Sequence, residues 1–315
     1  MNAERKRILI TGAAGYIGSL LGSRLAESFS VVGTDIRSRD DLPFPVRILD
    51  VRNPALKDWL VEEGITHVVH LASILDASDD RARDFDIDVN GTRNVLECCV
   101  GAGVRHLTVT SSGAAYGYHA DNPDWIDEDQ PLRGNPEFAY ADHKRQIEQL
   151  LAEYRESHPE LEQLIFRPGT VLGAETRNLI TQLFSRKRVL AIRGSDSPFV
   201  FIWDQDLLNA MAKGIEKDLK GIYNMAGDGA LTLREIARLL DKPLMNLPVS
   251  VITNALRLGR LLRIGRYGPE QVKFLRYRPV LDNRRLKEEF GYQPLKSSAE
   301  TFRFFIEHAR ARGDL

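Results

Sequence analysis

Cysteine is nearly absent. The 315 residues include only Cys98 and Cys99. Adjacent thiols rarely bridge each other, and two alone do not build a zinc site. They read as small buried side chains of a reduced compartment. The seven histidines show no ligand spacing, so no metal is expected. No run of eighteen or more apolar residues occurs, which excludes a spanning helix of the usual kind. Excess charge is missing too: 43 basic and 44 acidic residues leave a net −1, with no electrostatic footprint for nucleic acid. The opening MNAERKRILI lacks the apolar stretch and cleavage site of a signal peptide, and a cytoplasmic location is expected.

What is present is a rhythm. RILIT (7–11), SVVGTD (30–35), VRILD (from Val46), THVVHLA (66–72), HLTVTSS (106–112) and EQLIFRP (162–168) are short β-branched runs. They are near-continuously apolar, as in strands buried on both faces. Helical patterns near 16–28, 54–63, 81–101 and 137–157 separate them. Strand–helix alternation predicts an α/β fold, a doubly wound parallel (Rossmann) sheet. After Gly173 helical segments dominate, near 177–187, 204–217, 232–241, 249–264, 283–290 and 298–312. Only PFVFI (198–202) and GIYNM (221–225) read there as strands. The expected organisation is a dinucleotide-binding domain over 1–172, to which 199–226 returns, and a smaller, mostly helical substrate domain from the rest of 173–315.

The first strand runs into TGAAGYIGS, with Gly12, Gly15 and Gly18 three apart at the start of a helix. Glycine lets the backbone turn sharply and approach a pyrophosphate seated on the helix N-terminus. The second strand ends in Asp35, where a carboxylate grips the adenosine ribose hydroxyls and repels a 2′-phosphate. NAD is therefore favoured over NADP, against the pull of Arg37 two residues on.

These pieces, with others in order, resemble an extended short-chain dehydrogenase/reductase of the NAD-dependent epimerase/dehydratase type. The others are DV (50–51), HLAS (70–73), VNGTRNVL (89–96), SSGAAYG (111–117), YADHK (140–144) and RPGTVLG (167–173). The resemblance spans nearly the whole chain and implies NAD as cofactor. Asp50 and Val51 would contact the adenine, and Leu71, Ala72 and Ser73 would line the ribose and nicotinamide. Asn90 would brace the middle of the sheet, and Pro168 would border the nicotinamide. Tyr16, Ile17, Ile36 and Arg37 flank these anchors and complete the expected cofactor contacts. Ser73, Ser112, Gly113 and Thr170 would face the substrate. A homodimer through helices 81–101 and 137–157 is also implied.

Tyr140 and Lys144, four apart, share a helix face. A phenol near its ordinary pKa of about 10 is a poor base at neutral pH. A nearby ammonium and the positive nicotinamide ring favour the phenolate. Tyr140 then takes a hydroxyl proton while hydride leaves the same carbon. Ser112 matches the family serine that hydrogen-bonds the reacting oxygen.

Three departures bear on substrate. Gly113 and Ala114 replace the acid pair of sugar 4,6-dehydratases. Thr170 stands where nucleotide-sugar enzymes commonly carry asparagine. SPFVFIWDQD has Phe199 and Val200 where many have a phosphate-pairing arginine, and Trp203 in place of a histidine. Lysine or threonine does not reproduce a bidentate arginine. Against this, residues 250–290 hold ten basic and four acidic side chains. That stretch suits an anionic substrate, a solvated amphipathic helix or a membrane surface. Acids Asp127, Glu128 and Asp129, after Trp125, read as turn formers.

The expected function is hydride transfer at a secondary alcohol or ketone of a sugar or nucleotide sugar, by an epimerase or dehydrogenase. The alternatives are a dehydrogenase of a hydrophobic hydroxyl compound, sterol-like or phenolic, and a non-catalytic cofactor-binding regulator. Loss of Tyr140 or Lys144 would favour the last, and both are present.

Overall fold

The apolar runs become strands: β1 Arg7–Thr11, β2 Ser30–Asp35, β3 Val46–Ile48, β4 His67–His70, β5 His106–Thr110, β6 Glu162–Pro168, β7 Thr170–Leu172, β8 Val189–Ile192, β9 Phe201–Trp203, β10 Gly221–Met225 and β11 Leu244–Leu247. The helices are α1 Tyr16–Ala26, α2 Leu56–Glu62, α3 Arg81–Phe85, α4 Gly91–Ala102, α5 Ala139–Ser157, α6 Leu179–Phe184, α7 Asp204–Glu216, α8 Leu233–Leu240, α9 Val249–Leu261, α10 Gln271–Arg276, α11 Arg284–Glu288 and α12 Ser298–Ala311. The computed structural model describes residues 6–75, 78, 80–262 and 268–315.

Seven strands form one parallel sheet in the order β10-β6-β5-β4-β1-β2-β3. β1 pairs with β2 on one side and β4 on the other, so strand order reverses there. In open α/β sheets, ligands lie outside the carboxyl ends of strands at such a switch point. The chain divides into two compact units. The first holds the chain up to Ser112, His143–Arg167 and Leu207–Tyr223; the second holds Gly113–Asp142, Pro168–Asp206 and Asn224–Leu315.

In the first unit Leu9, Val68, Leu107 and Ile165 of the sheet pack with Val95 and Leu96 of α4 and Leu150 and Leu151 of α5. Cys98 and Cys99 belong to this core, and burial pushes both thiols up, Cys98 to about 11. The run expected as one helix over 81–101 is interrupted. A π-helical turn, Asp86–Asn90, joins α3 to α4. Such a turn often marks a functional position.

The second unit is centred on rings. Phe184, Phe199, Phe201, Phe302 and Phe305 share one cluster. Capping boxes start α8 (Thr232 with Glu235) and α12 (Ser297 with Glu300), where an oxygen-bearing residue precedes a glutamate by three. β8 and β11, which do not read as strands in sequence, pair with each other in parallel. The expected strand 198–202 is shorter and later. Phe199 instead exchanges backbone hydrogen bonds with Leu231, and β9 pairs with β7.

Three buried histidines make the first unit acid-sensitive. His70 is held by Thr11 Oγ1 at 2.8 Å and Thr92 Oγ1 at 3.0 Å. Thr11 Oγ1 already accepts from Leu71 N and Ala72 N, so its proton goes to His70 Nδ1, and His70 Nε2 donates to Thr92. Burial drives His70 down to about 3. His67 and His106, with ring centroids 5.3 Å apart, are also lowered by burial. Below about pH 6.5 the unfolded chain binds protons that the folded chain refuses, so stability falls with pH. At pH 5.5 His70 alone costs about 1.4 kcal/mol, and the other two add to it. Urea midpoints at pH 7.5 and 5.5 should therefore differ, the acid one being lower. Equal midpoints would contradict this.

Candidate functional site

The glycine turn is built for close approach. Gly12 sits at φ +69, and a Cβ there would lie 2.8 Å from Ala72 N. A Cβ on Gly18 would lie 2.2 Å from Gly12 O. No side chain caps α1, whose N-cap is Gly15. Tyr16 and Ile17 form its first turn. Asp35, at the end of β2, accepts from Ala14 N at 3.0 Å and from Arg37 N at 3.1 Å. The Arg37 side chain is exposed and stands 3.8 Å from Asp35. Ile36 is exposed beside it. Arg39, unremarked in sequence, is bound by Asp41 and reaches Ala14 O at 3.5 Å.

Past β3, Asp50 is engaged by Arg52 at 2.6 Å, and Arg52 also binds Asp86 at 2.7 Å. Bonds from Arg52 hold Asp50 below the usual carboxylate range. Val51 is buried in the core, and its carbonyl accepts from Asn94. At the end of β4, Leu71 N and Ala72 N donate to Thr11 Oγ1, and Ser73 Oγ donates to Asp88 at 3.1 Å.

The bracing expected of Asn90 is made by Asp88 instead. Asn90 is exposed, and its amide donates to Asp86. Asp88 is 2% exposed, and the π-turn directs it inward to Ser73, Ile74 N and His143.

Ser112 follows β5 and is buried. Lys144, in α5, is 5% exposed and donates to Thr110 O at 3.1 Å. Burial lowers its pKa, while Asp88 and Glu148 act to raise it. Glu148, one turn further along α5, takes a bidentate bond from buried Arg167 (2.9 and 2.6 Å) and a third from Ser111. A buried guanidinium–carboxylate fork of this kind locks α5 against β6.

In the second unit Tyr140 joins a cluster with Tyr118, Phe138, Phe274 and Tyr277. Burial pushes the Tyr118 phenol up, so Tyr118 stays protonated and is no competing base. A Cβ on Gly113 would lie 3.0 Å from the methyls of Leu281. Thr170 opens β7, its amide donating to Val200 O, and Pro168 closes β6. Trp203 carries Phe304 edge-on at 5.5 Å and Lys296 over its ring at 4.6 Å.

The basic stretch 250–290 places much of its charge in ion pairs: Lys273 with Glu137, Arg284 with Asp282, Arg285 with Asp129, Lys287 with Asp228. Arg278 is buried, with its guanidinium 3.8 Å from the Phe199 ring centroid and a bond to Ser197 O. Arg263, Arg266 and the side chain of Arg260 lie outside the described residues. Of the acids after Trp125, Asp127 forms a turn with Asp129 N, while buried Glu128 accepts from Asn224 N.

Residues 8–226 match the profile of the NAD dependent epimerase/dehydratase family. An uncharacterized protein of Mycobacterium tuberculosis is 25% identical over 98% of this chain and 84% of its own length. The N-acetyl-alpha-D-glucosaminyl-diphospho-ditrans,octacis-undecaprenol 4-epimerase of Escherichia coli O157:H7 is 30% identical over 60% of this chain and 57% of its own. Among solved structures, the UDP-glucose 4-epimerase of Thermotoga maritima with UDP-glucose has a TM-score of 0.75, 21% identity, and covers 97% of this chain and 99% of its own. The Bordetella bronchiseptica enzyme WbmG with NAD and UDP has a TM-score of 0.77, 19% identity, and covers 99% and 96%. NAD fits the residues present: glycines let the β1–α1 turn pack tightly without side chains, the N-terminus of α1 carries no side-chain cap, and the Asp35 carboxylate stands at the end of β2. The chain belongs to the NAD-dependent epimerase/dehydratase family.

Proposed function

We propose that the protein is an epimerase or dehydrogenase that transfers hydride at a secondary alcohol or ketone of a sugar or nucleotide sugar. One observation carries the reading: the buried amine of Lys144 donates to Thr110 O one helical turn from Tyr140. A buried cation next to a phenol favours the phenolate. Tyr140 removes the hydroxyl proton in oxidation and returns it in reduction, and Ser112 donates a hydrogen bond to the same oxygen. NAD, held by Gly12, Gly15, Gly18 and Asp35, supplies a hydride acceptor when bound. Gly113 and Ala114 offer no acid–base pair, which supports redox or epimerisation over water elimination.

A second reading keeps the chemistry and changes the substrate to a hydrophobic hydroxyl compound. It is favoured by α9, which exposes Val251, Leu258 and Leu261. A panel of UDP-sugars and apolar secondary alcohols, followed at 340 nm and by product chromatography, separates the two. Conversion of a UDP-sugar supports the first, and NADH formation with apolar alcohols alone supports the second. No turnover of either class would overturn both.

A further inference from the structure

The first unit contains a buried ionisable couple that the Tyr–Lys reading does not use. Asp88 Oδ2 lies 2.9 Å from His143 Nδ1, with the two side chains 2% and 7% exposed. His143 directly precedes Lys144 in α5, and the Phe85 ring stands edge-on to it at 5.7 Å. The other Asp88 oxygen accepts from Ile74 N at 2.8 Å and Ser73 Oγ at 3.1 Å. The Asp88 carbonyl accepts from Thr92 Oγ1, which links it through His70 to Thr11. One carboxylate thus joins the exit of β4, the π-turn and the first turns of α5.

Charge narrows its task. Groups that act on Lys144 or feel its charge include Asp88, Glu148 and His70. Glu148 is neutralised by the Arg167 fork, and burial keeps His70 neutral. Of the two carboxylates acting on the Lys144 ammonium, Asp88 is the one without a guanidinium. The His143 ring, with Nδ1 2.9 Å from Oδ2, holds that carboxylate in place. Bonds from His143 and Ile74 N hold Asp88 below the usual carboxylate range although burial opposes this.

We propose that Asp88 and His143 are positioning residues for the Tyr140–Lys144 pair: the couple clamps the start of α5 to the end of β4 and supplies the counter-charge for the Lys144 ammonium. This rests on the reading of Tyr140 as the proton-transfer group.

The test is ultraviolet titration of tyrosinate at 295 nm on the NAD-bound protein, with Tyr140→Phe subtracted to isolate one phenol. Asp88→Asn keeps the shape and removes the charge. Without its counter-charge the Lys144 ammonium gives up its proton, and loss of that cation should raise the Tyr140 midpoint by roughly one pH unit, with NAD affinity within about threefold, ~0.7 kcal/mol. A second pair of variants decides the matter if Asp88→Asn does not fold. His143→Asn retains a donor near the Nδ1 position and should titrate like the wild type. His143→Leu removes the donor, lets Asp88 take up a proton, and should move the midpoint upward. An Asp88→Asn midpoint equal to wild type, or identical His143→Asn and His143→Leu midpoints, would overturn the proposal. Failure of the underlying reading looks different: Tyr140→Phe and Lys144→Met would then leave the low-pH tyrosinate signal unchanged.

Discussion

Tyr140→Phe is expected to lower turnover by roughly 10²–10⁴-fold, the usual contribution of a positioned general acid–base, with little change in NAD affinity. The phenylalanine keeps the ring that packs with Tyr118 and Phe274 and removes only the oxygen. Tyr118 cannot substitute, because burial holds its phenol protonated. The loss should fall on kcat, since an interaction made in the transition state is being removed. Steady-state rates with the substrate found in the panel check this. A Tyr140→Phe enzyme within about threefold of wild type, ~0.7 kcal/mol of barrier, would place the proton transfer elsewhere.

Gly18→Ala is expected to abolish tight NAD binding, raising Kd by about 100-fold or more, ~2.7 kcal/mol. The added methyl would lie 2.2 Å from Gly12 O and 3.0 Å from Ala13 Cα, both backbone atoms, so no side chain can rotate away. Relief requires α1 to move off the turn that leads out of β1, and that displaces the helix N-terminus from the place where a pyrophosphate sits. Gly259→Ala, where nothing lies within 4 Å of the added atom, is the control and should bind as wild type. Calorimetric titration with NAD reads both. Equal affinities for the two variants would remove the glycine turn from the site.

The parts legible in sequence are those written locally. Glycines after a β-branched run marked the β1–α1 turn, and continuous apolar runs marked β4, β5 and β6. The parts not legible depend on long-range contact. β8 and β11 are four-residue strands without alternation, and they pair across more than fifty residues. The π-turn leaves no local mark, so 81–101 read as one helix and Asn90 drew attention because of its motif. A signal for Asp88 was available nonetheless. Asp88, Thr92, Val95, Leu96 and Cys99 share one helical stripe, and a carboxylate on an apolar stripe needs an explanation. His143 was hidden inside YADHK by the tyrosine and lysine on either side of it. The basic run 250–290 is legible only in part: composition shows a surplus of charge, but not that Arg285 faces Asp129 or that Arg278 is buried against Phe199.

The central claim is that NAD and the Tyr140 phenol feel each other's charge through a scaffold centred on Lys144. Calorimetry of NAD binding from pH 6.5 to 9.5, in two buffers of different ionisation enthalpy, tests it without any substrate. A positive ring that favours the phenolate must release a proton on binding, so affinity should rise with pH in the wild type and stay flat in Tyr140→Phe. Proton-neutral binding in the wild type, or the same pH dependence in both proteins, would contradict the account.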